Sequence, residues 1–480
     1  MKHSITLLLL FLSCIIAMHC NGNSVENHDD GGADAAADSN TDSDTGSDSG
    51  AGLTLEWALR IGGTESSRGN DLAVLKDGSV ILTGSIRDTV RFGQDDNIID
   101  LKSAGVEDVF VARYHSNGSL LWALNAGGIQ WDEAESVDCY DDDSVAITGY
   151  FKETATFNGM DGDLSITSKR GWDAFTAKYD SEGTPLWAVS AGSELRVMGT
   201  GVVALPDGSS VATGIFDPPT TFGIGDNEVV LDSEDEDAIY LAKYYADGTL
   251  MWAKTAAHGE NSVESRSIDS LPDGSIFLTG NLGGDVYFGS GENEKMLASQ
   301  PGDGYIAKYD SSGNLVRAEL VPVGSLITAT ADGSVFFPTG VEDVILIKFG
   351  PDGSKIWEHK LLGDSCRQGS ESVWGRAVTV MKNGSVIVSG SFECEVTLNV
   401  GDEAITLEKA GKRSVFLAGL DSAGKMEWVE TILAYSDGTS DENTTTVSTA
   451  QHVMFNEEYV YITGSFDNQA IFGKGENEVI

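Results

Sequence analysis

The chain has 480 residues, with 75 acidic against 30 basic side chains and a net charge of -45. That balance repels polyanions and argues against nucleic acid or an anionic membrane face as a partner, while divalent cations and basic or neutral partners stay open. Length alone would allow roughly two to four ordinary domains, but internal repetition points to one array behind a tail.

Residues 1–20 begin with Lys2, run apolar through Ile5 to Leu12 and Ile15 to Met18, then turn polar. This is the pattern of an export signal, too short to remain as a membrane span. Cys20 is the expected site of lipidation and Cys14 the alternative; neither follows an ideal lipobox, and cleavage with secretion is the simpler outcome. Residues 21–52 are rich in Asp, Ser, Gly, Ala and Thr and contain no Lys or Arg. Such a segment buries too little apolar surface to fold and reads as a disordered tether.

Residues 53–480 read as a repeat domain. Trp57, Trp122, Trp187 and Trp252 follow at intervals of 65 residues, and the next interval lands on Arg317. Tyr114, Tyr179, Tyr244, Tyr309, Phe349 and Leu420 each stand eight residues before Trp122, Trp187, Trp252, Arg317, Trp357 and Trp428. A fixed period of this kind marks repeated supersecondary units. Within a unit, Leu72 and Val74, then Val80 and Leu82, alternate at strand periodicity around the hairpin turn Asp77-Gly78. The turn returns at Asp207-Gly208, Asp273-Gly274, Asp332-Gly333 and Asn383-Gly384, with Asp141 to Ser144 a degenerate copy.

The strand after that turn ends in glycine seven times, at Gly84, Gly149, Gly214, Gly280, Gly340, Gly390 and Gly464, which sets the expected number of units. Glycine there signals a close backbone approach or a bend. A more variable stretch follows, as in VRFGQDDNIIDLKS, and reads as a further hairpin. The unit between Arg317 and Trp357 lacks it and spans 40 residues, about what four short strands need. The expected fold is therefore all-β, a seven-bladed β-propeller of repeats about 65 residues long; an open β-solenoid is the alternative, disfavoured by the hairpins. The last blade is expected to be incomplete, because no Asp-x-Phe-x-Ala-x-Tyr strand follows Gly464. Leu53 to Arg60 would supply its Trp-bearing strand.

Gly78 to Gly84 and Asp108 to Trp122 resemble the repeats of bacterial β-propeller proteins of the SBBP type, and the resemblance extends over residues 53–480. It implies an exported, surface or lipid-anchored propeller, with no assigned reaction.

Catalytic motifs are absent: the sequence has no His-Glu-x-x-His, Gly-x-Ser-x-Gly, phosphate loop or Cys-x-x-Cys. His115, His258, His359 and His452 fall at unrelated repeat positions and read as surface or packing residues. Asp108, Asp173, Asp237, Asp303 and Asp343 recur where the third strand begins. Their simplest role is to cap a turn, but radial repetition could gather them into a ring for Ca²⁺, which takes oxygen ligands; no other cofactor is expected. Trp131 and Trp374 depart from the repeat and are placed in loops of one face, as anchors for a sugar or a protein. Cys366 and Cys394 are the expected disulfide in an oxidising compartment, and Cys139 reads as a small buried side chain. Together these features point to a binding scaffold at the bacterial envelope, at the outer membrane or cell surface, with an envelope or extracellular protein or a polysaccharide as partner. It would meet the membrane only through its lipid. A carbohydrate-binding propeller and a metal-dependent hydrolase or lyase are the alternatives.

Overall fold

The computed structural model describes residues 11–20, 53–63, 67–94, 97–233, 235, 237–259, 262–300, 302–324, 326–340, 343–362, 372–400, 403–409, 413–435, 448–456, 459–467 and 469–471. The repeat unit folds as an antiparallel meander. Arg68–Val74, Val80–Ile86, Asp108–Tyr114 and Leu120–Gly127 lie in that order in one sheet, and the same four-strand order recurs from Glu133–Cys139 onward. The first strands pack against one another in succession: Arg68–Val74, Glu133–Cys139, Val197–Ala204, Val263–Ser270, Thr328–Ala329, Val373–Val380 and Ser448–Asn456. Ser448–Asn456 also packs against Arg68–Val74. Sheets arranged radially about their first strands define a β-propeller.

The simple alternation expected of the strands does not hold at the centre of a sheet. Val80–Ile86 and Asp108–Tyr114 are buried at every position, because a sheet wedged between two others is covered on both faces. The Thr-Gly ending has a local cause. In six first strands a bulge shifts the register opposite this glycine, leaving Asn70, Glu135, Thr200, Arg266, Arg376 and Gln451 as the extra residues. A Cβ on Gly84 would stand 1.9 Å from the Arg68 carbonyl oxygen, so only glycine fits. The preceding Thr83 donates its hydroxyl to the Phe110 carbonyl at 2.8 Å.

The tryptophan and the polar turn explain each other across neighbouring sheets. The Trp122 indole donates to the Ser181 carbonyl at 3.2 Å, and the Trp187 indole to that of Ala246 at 2.9 Å. A Cβ on Gly183, at φ 88°, would come within 3.2 Å of the Trp122 ring. Arg317 takes the tryptophan's place by laying its aliphatic stem over Gly353, while its guanidinium pairs with Glu319.

The variable hairpin is not an elaboration of its own sheet. Thr154–Phe157 pairs with Leu164–Thr167 and then with Ala126 and Gly127 of the preceding sheet. Thr220–Phe222 joins Ala191 and Gly192, and Val286–Phe288 joins Ala257 and His258 in the same way. The aromatic in the first arm turns back to its own sheet: Phe92 meets Phe110, Phe157 meets Phe175, Phe222 meets Tyr240 and Phe288 meets Tyr305, at 4.8 to 5.1 Å between centroids. Each hairpin thus straps two sheets together. Because the short unit lacks one, the sheet before it ends at four strands.

The last sheet is completed differently from the expectation. Phe11–Cys20, part of the expected export signal, pairs on one side with Tyr459–Asp467 and on the other with Leu53–Gly63. It occupies the third-strand position that the sequence reading leaves empty, and Leu53–Gly63 takes the outer place as anticipated.

Candidate functional site

Antiparallel order places first-to-second and third-to-fourth turns on one face of the ring. The second-to-third connections, and the crossings to the next sheet, lie on the other. Two candidate features occupy this second face: an apolar patch and the mouth of the central channel.

The patch is built by paired connections. Glu107, just before a third strand, bridges Trp131, just before the next first strand, and Trp172 bridges Arg196 in the same manner. The Val106 amide donates to the Gln130 carbonyl at 3.2 Å, and the Val197 amide to that of Trp172 at 2.7 Å. These bridges hold apolar side chains outward: Val106 is 43% exposed, Ile129 69%, Trp131 45% and Leu195 58%. The Trp131 and Trp172 rings meet edge to face at 6.4 Å, and Tyr150 supports Trp172 at 5.3 Å. The Arg87 guanidinium lies 5.2 Å from the Trp131 ring centroid and is itself paired with Glu107 at 2.6 Å. Trp131 therefore sits in a connection, as its sequence position implies. Trp374 does not: it belongs to the first strand Val373–Val380, half-buried at the channel wall, with the Arg413 guanidinium 4.4 Å from its ring centroid.

The channel contains a cavity of about 560 Å³ lined by the first strands. Three carboxylates fasten those strands to one another. Asp71 accepts from the Leu72 and Val137 amides at 2.8 and 2.9 Å, Asp138 from Cys139 and Ala204, both at 2.8 Å, and Asp269 from Ser270 and Ala329 at 2.6 and 2.7 Å. His452 forms an ion pair with Asp71, joining the last first strand to the earliest one. Burial, reinforced by neighbouring aspartates, pushes Asp138 up to about 7; burial pushes Asp269 up to about 6. Burial opposes charge on His452, but the Asp71 carboxylate, with Asp269 and Asp138 beyond it, holds its pKa above the usual imidazole value. These axial residues escape the sequence reading because Asp71 and His452 sit beside the bulge and Asp138 and Asp269 three residues beyond it, where an extra residue shifts the side-chain periodicity. The glycine opposite the bulge is the signal that could have located them.

The five recurring aspartates take turn-capping and ion-pairing roles. Asp108 accepts from the Ala104 amide at 2.9 Å, Asp173 from Lys169 at 3.0 Å and Asp303 from Gln300 at 2.7 Å. Asp237 accepts from the Arg196 guanidinium at 2.7 Å and Asp343 pairs with Lys360 at 3.0 Å. Burial raises the carboxyl of Asp108, and raises that of Asp173 to about 6. Among the described residues, no group of three His, Cys, Asp or Glu is arranged to hold a metal ion. Cys394 is disulfide-bonded, and Cys366 lies outside the described residues. Cys139 is a free, half-buried thiol that donates to the Val74 carbonyl at 3.3 Å. The Cys14 and Cys20 side chains also lie outside the description, as do residues 21–52.

No family model matches the chain. An uncharacterized WD repeat-containing protein, L264 of Acanthamoeba polyphaga mimivirus, is 23% identical over 457 residues, covering 86% of this chain and 30% of that protein. Regulatory protein FlaEY of Caulobacter vibrioides is 28% identical over 129 residues, covering 27% and 13% respectively. The chain thus spans less than a third of the length of these relatives. Among solved structures, BamB from Moraxella catarrhalis aligns at a TM-score of 0.34 and 11% identity over 84% of this chain and 99% of its own. A protein of unknown function from Bacteroides caccae aligns at 0.32 and 9%, over 72% and 93%. The ring of first strands and the repeated meander make the chain a β-propeller repeat protein. Among the described residues, no helix is long and apolar enough to cross a membrane.

Proposed function

We propose that the chain is an interaction scaffold: a seven-bladed propeller, of the SBBP type that its repeats resemble, exported to the bacterial envelope and lipid-anchored at Cys20 or Cys14. The observation that carries the scaffold reading is the patch of Val106, Ile129, Trp131 and Leu195. An aromatic held outward by a rigid frame and rimmed by polar groups matches the anatomy of a protein-binding hot spot. The net charge of -45 favours a basic or neutral protein partner. Cleavage before Cys20 would remove most of Phe11–Cys20 from its sheet, so the mass of the mature chain distinguishes a leader from a structural strand.

The test is a pull-down from an envelope extract with the full chain and with an Ile129→Ser, Trp131→Ser double variant, each with calcium and with EDTA. A specific protein retained by the parent chain and reduced at least about tenfold by the variant supports the scaffold, since central aromatic anchors contribute about 2 kcal/mol or more. Equal retention by the variant rules the patch out, and retention of polysaccharide alone favours the carbohydrate-binding reading. Loss of binding in EDTA would direct mutation to Asp108, Asp173, Asp237, Asp303 and Asp343.

A further inference from the structure

The bulge residues point a second chemistry into the channel. Asp71, Asp138 and Asp269 are engaged by backbone amides, but Arg376, at the bulge of Val373–Val380, is not neutralised: it forms no ion pair with any described residue, and its Nε is buried without a hydrogen-bond partner. Burial lowers its pKa, and among the described residues the charged groups acting on it, Arg413 and Arg266, are both positive and lower it further. Arg413 is held by Glu393 at 2.8 Å and Arg266 by Glu264 at 2.8 Å. Arg376 is thus a half-buried side chain with no compensating carboxylate among the described residues, and a buried guanidinium nitrogen without a partner is costly unless something fills its valence.

The neighbouring groups indicate what that is. Trp374 forms a flat wall of the same cavity, and Thr200 and Asn281 line it with polar groups; the Asn281 amide oxygen is buried and unpartnered. Glu135, the bulge residue of Glu133–Cys139, also lines the cavity, and burial, with Glu133 beside it, pushes its carboxyl up to about 7. The cavity is about 560 Å³, within the range of small-molecule sites.

We propose that the channel mouth binds a small hydroxylated carboxylate, of the size and chemistry of a hexuronic acid. Its carboxylate lies on the guanidinium of Arg376, its ring lies against Trp374, and its hydroxyls reach Asn281, Thr200 and Glu135. A guanidinium binds a carboxylate through two parallel hydrogen bonds, which selects for the charged group over a neutral hydroxyl.

The test is calorimetric titration of the full chain with D-glucuronate and, separately, with D-glucose, which keeps the hydroxyls and lacks the carboxylate. Saturable binding of glucuronate, at least about tenfold weaker binding of glucose, and a melting temperature that rises with glucuronate are expected. Arg376→Gln should weaken glucuronate binding by about tenfold or more. It should also leave the melting temperature of the ligand-free chain unchanged or raised, because it removes an uncompensated charge. Absence of glucuronate binding, equal binding of glucose, or unchanged affinity in Arg376→Gln overturns the assignment. The Ile129→Ser, Trp131→Ser variant should bind glucuronate as the parent chain does, so this site and the protein-docking patch stand or fall separately.

Discussion

At the scale of single residues, the repeat is a set of contacts made between units. Trp122 reaches across to the turn at Gly183, donating to Ser181, so the tryptophan of one repeat and the glycine of the next form one joint. Trp122→Ala should cost about 3–5 kcal/mol, the range for removing a large buried aromatic. Gly183→Ala should also destabilise, because it places a Cβ against the Trp122 ring and strains a backbone at φ 88°. Chemical denaturation of both single variants and the double variant checks this; a double variant less destabilised than the sum of the two identifies a shared joint. The spacing of these residues is plain in the sequence. Their pairing across units is not, because a period reports recurrence and is silent about which copy touches which.

At the scale of elements, the strapping hairpin is the feature that the sequence least reveals. Its turn and its aromatic lead are legible in VRFGQDDNIIDLKS, as are the paired arms, yet nothing local says that Thr156 and Phe157 pair with Gly127 and Ala126 of the sheet before. That choice comes from the open edge of Leu120–Gly127, which offers unpaired amides and carbonyls within reach. Phe157→Ala should remove the ring that holds the hairpin to Phe175 and cost about 3–5 kcal/mol. Hydrogen exchange should show faster exchange at Gly127, in a sheet that does not contain the mutated residue's own repeat. Faster exchange confined to Asp173–Tyr179 would contradict the strap. Trp374 is misplaced for a related reason: its position after a Trp-bearing strand reads as a connection, and only the pairing of Val373–Val380, whose bulge interrupts the strand periodicity, shows that it lies at the start of a first strand.

At the scale of the whole molecule, the ring is closed along its axis by groups that respond to pH. An acid whose folded pKa is raised keeps protons that the unfolded chain has released. Its contribution to stability is complete below the ordinary carboxylate value and is lost as pH rises through the folded value, about 7 for Asp138 and about 6 for Asp269. His452, held above its usual value by Asp71, acts with the same sign, favouring the fold below its unfolded pKa and losing that effect as pH rises through its folded one. The melting temperature should therefore rise between pH 8 and pH 6, and Asp138→Asn should reduce the slope; a flat or falling profile would contradict the axial assignment. The straps carry a different consequence, for how such a chain grows. Its inherited module, a stretch of about 65 residues, and its folded module, one sheet with its outer hairpin, are out of phase. A duplication or deletion of one repeat inserts or removes the four meander strands of one sheet together with the two-stranded hairpin of its neighbour, and the change is accommodated only if the hairpin fits the sheet it comes to cap. The 40-residue unit shows the same phase shift: the hairpin is missing from one stretch of sequence, and the sheet left at four strands belongs to another.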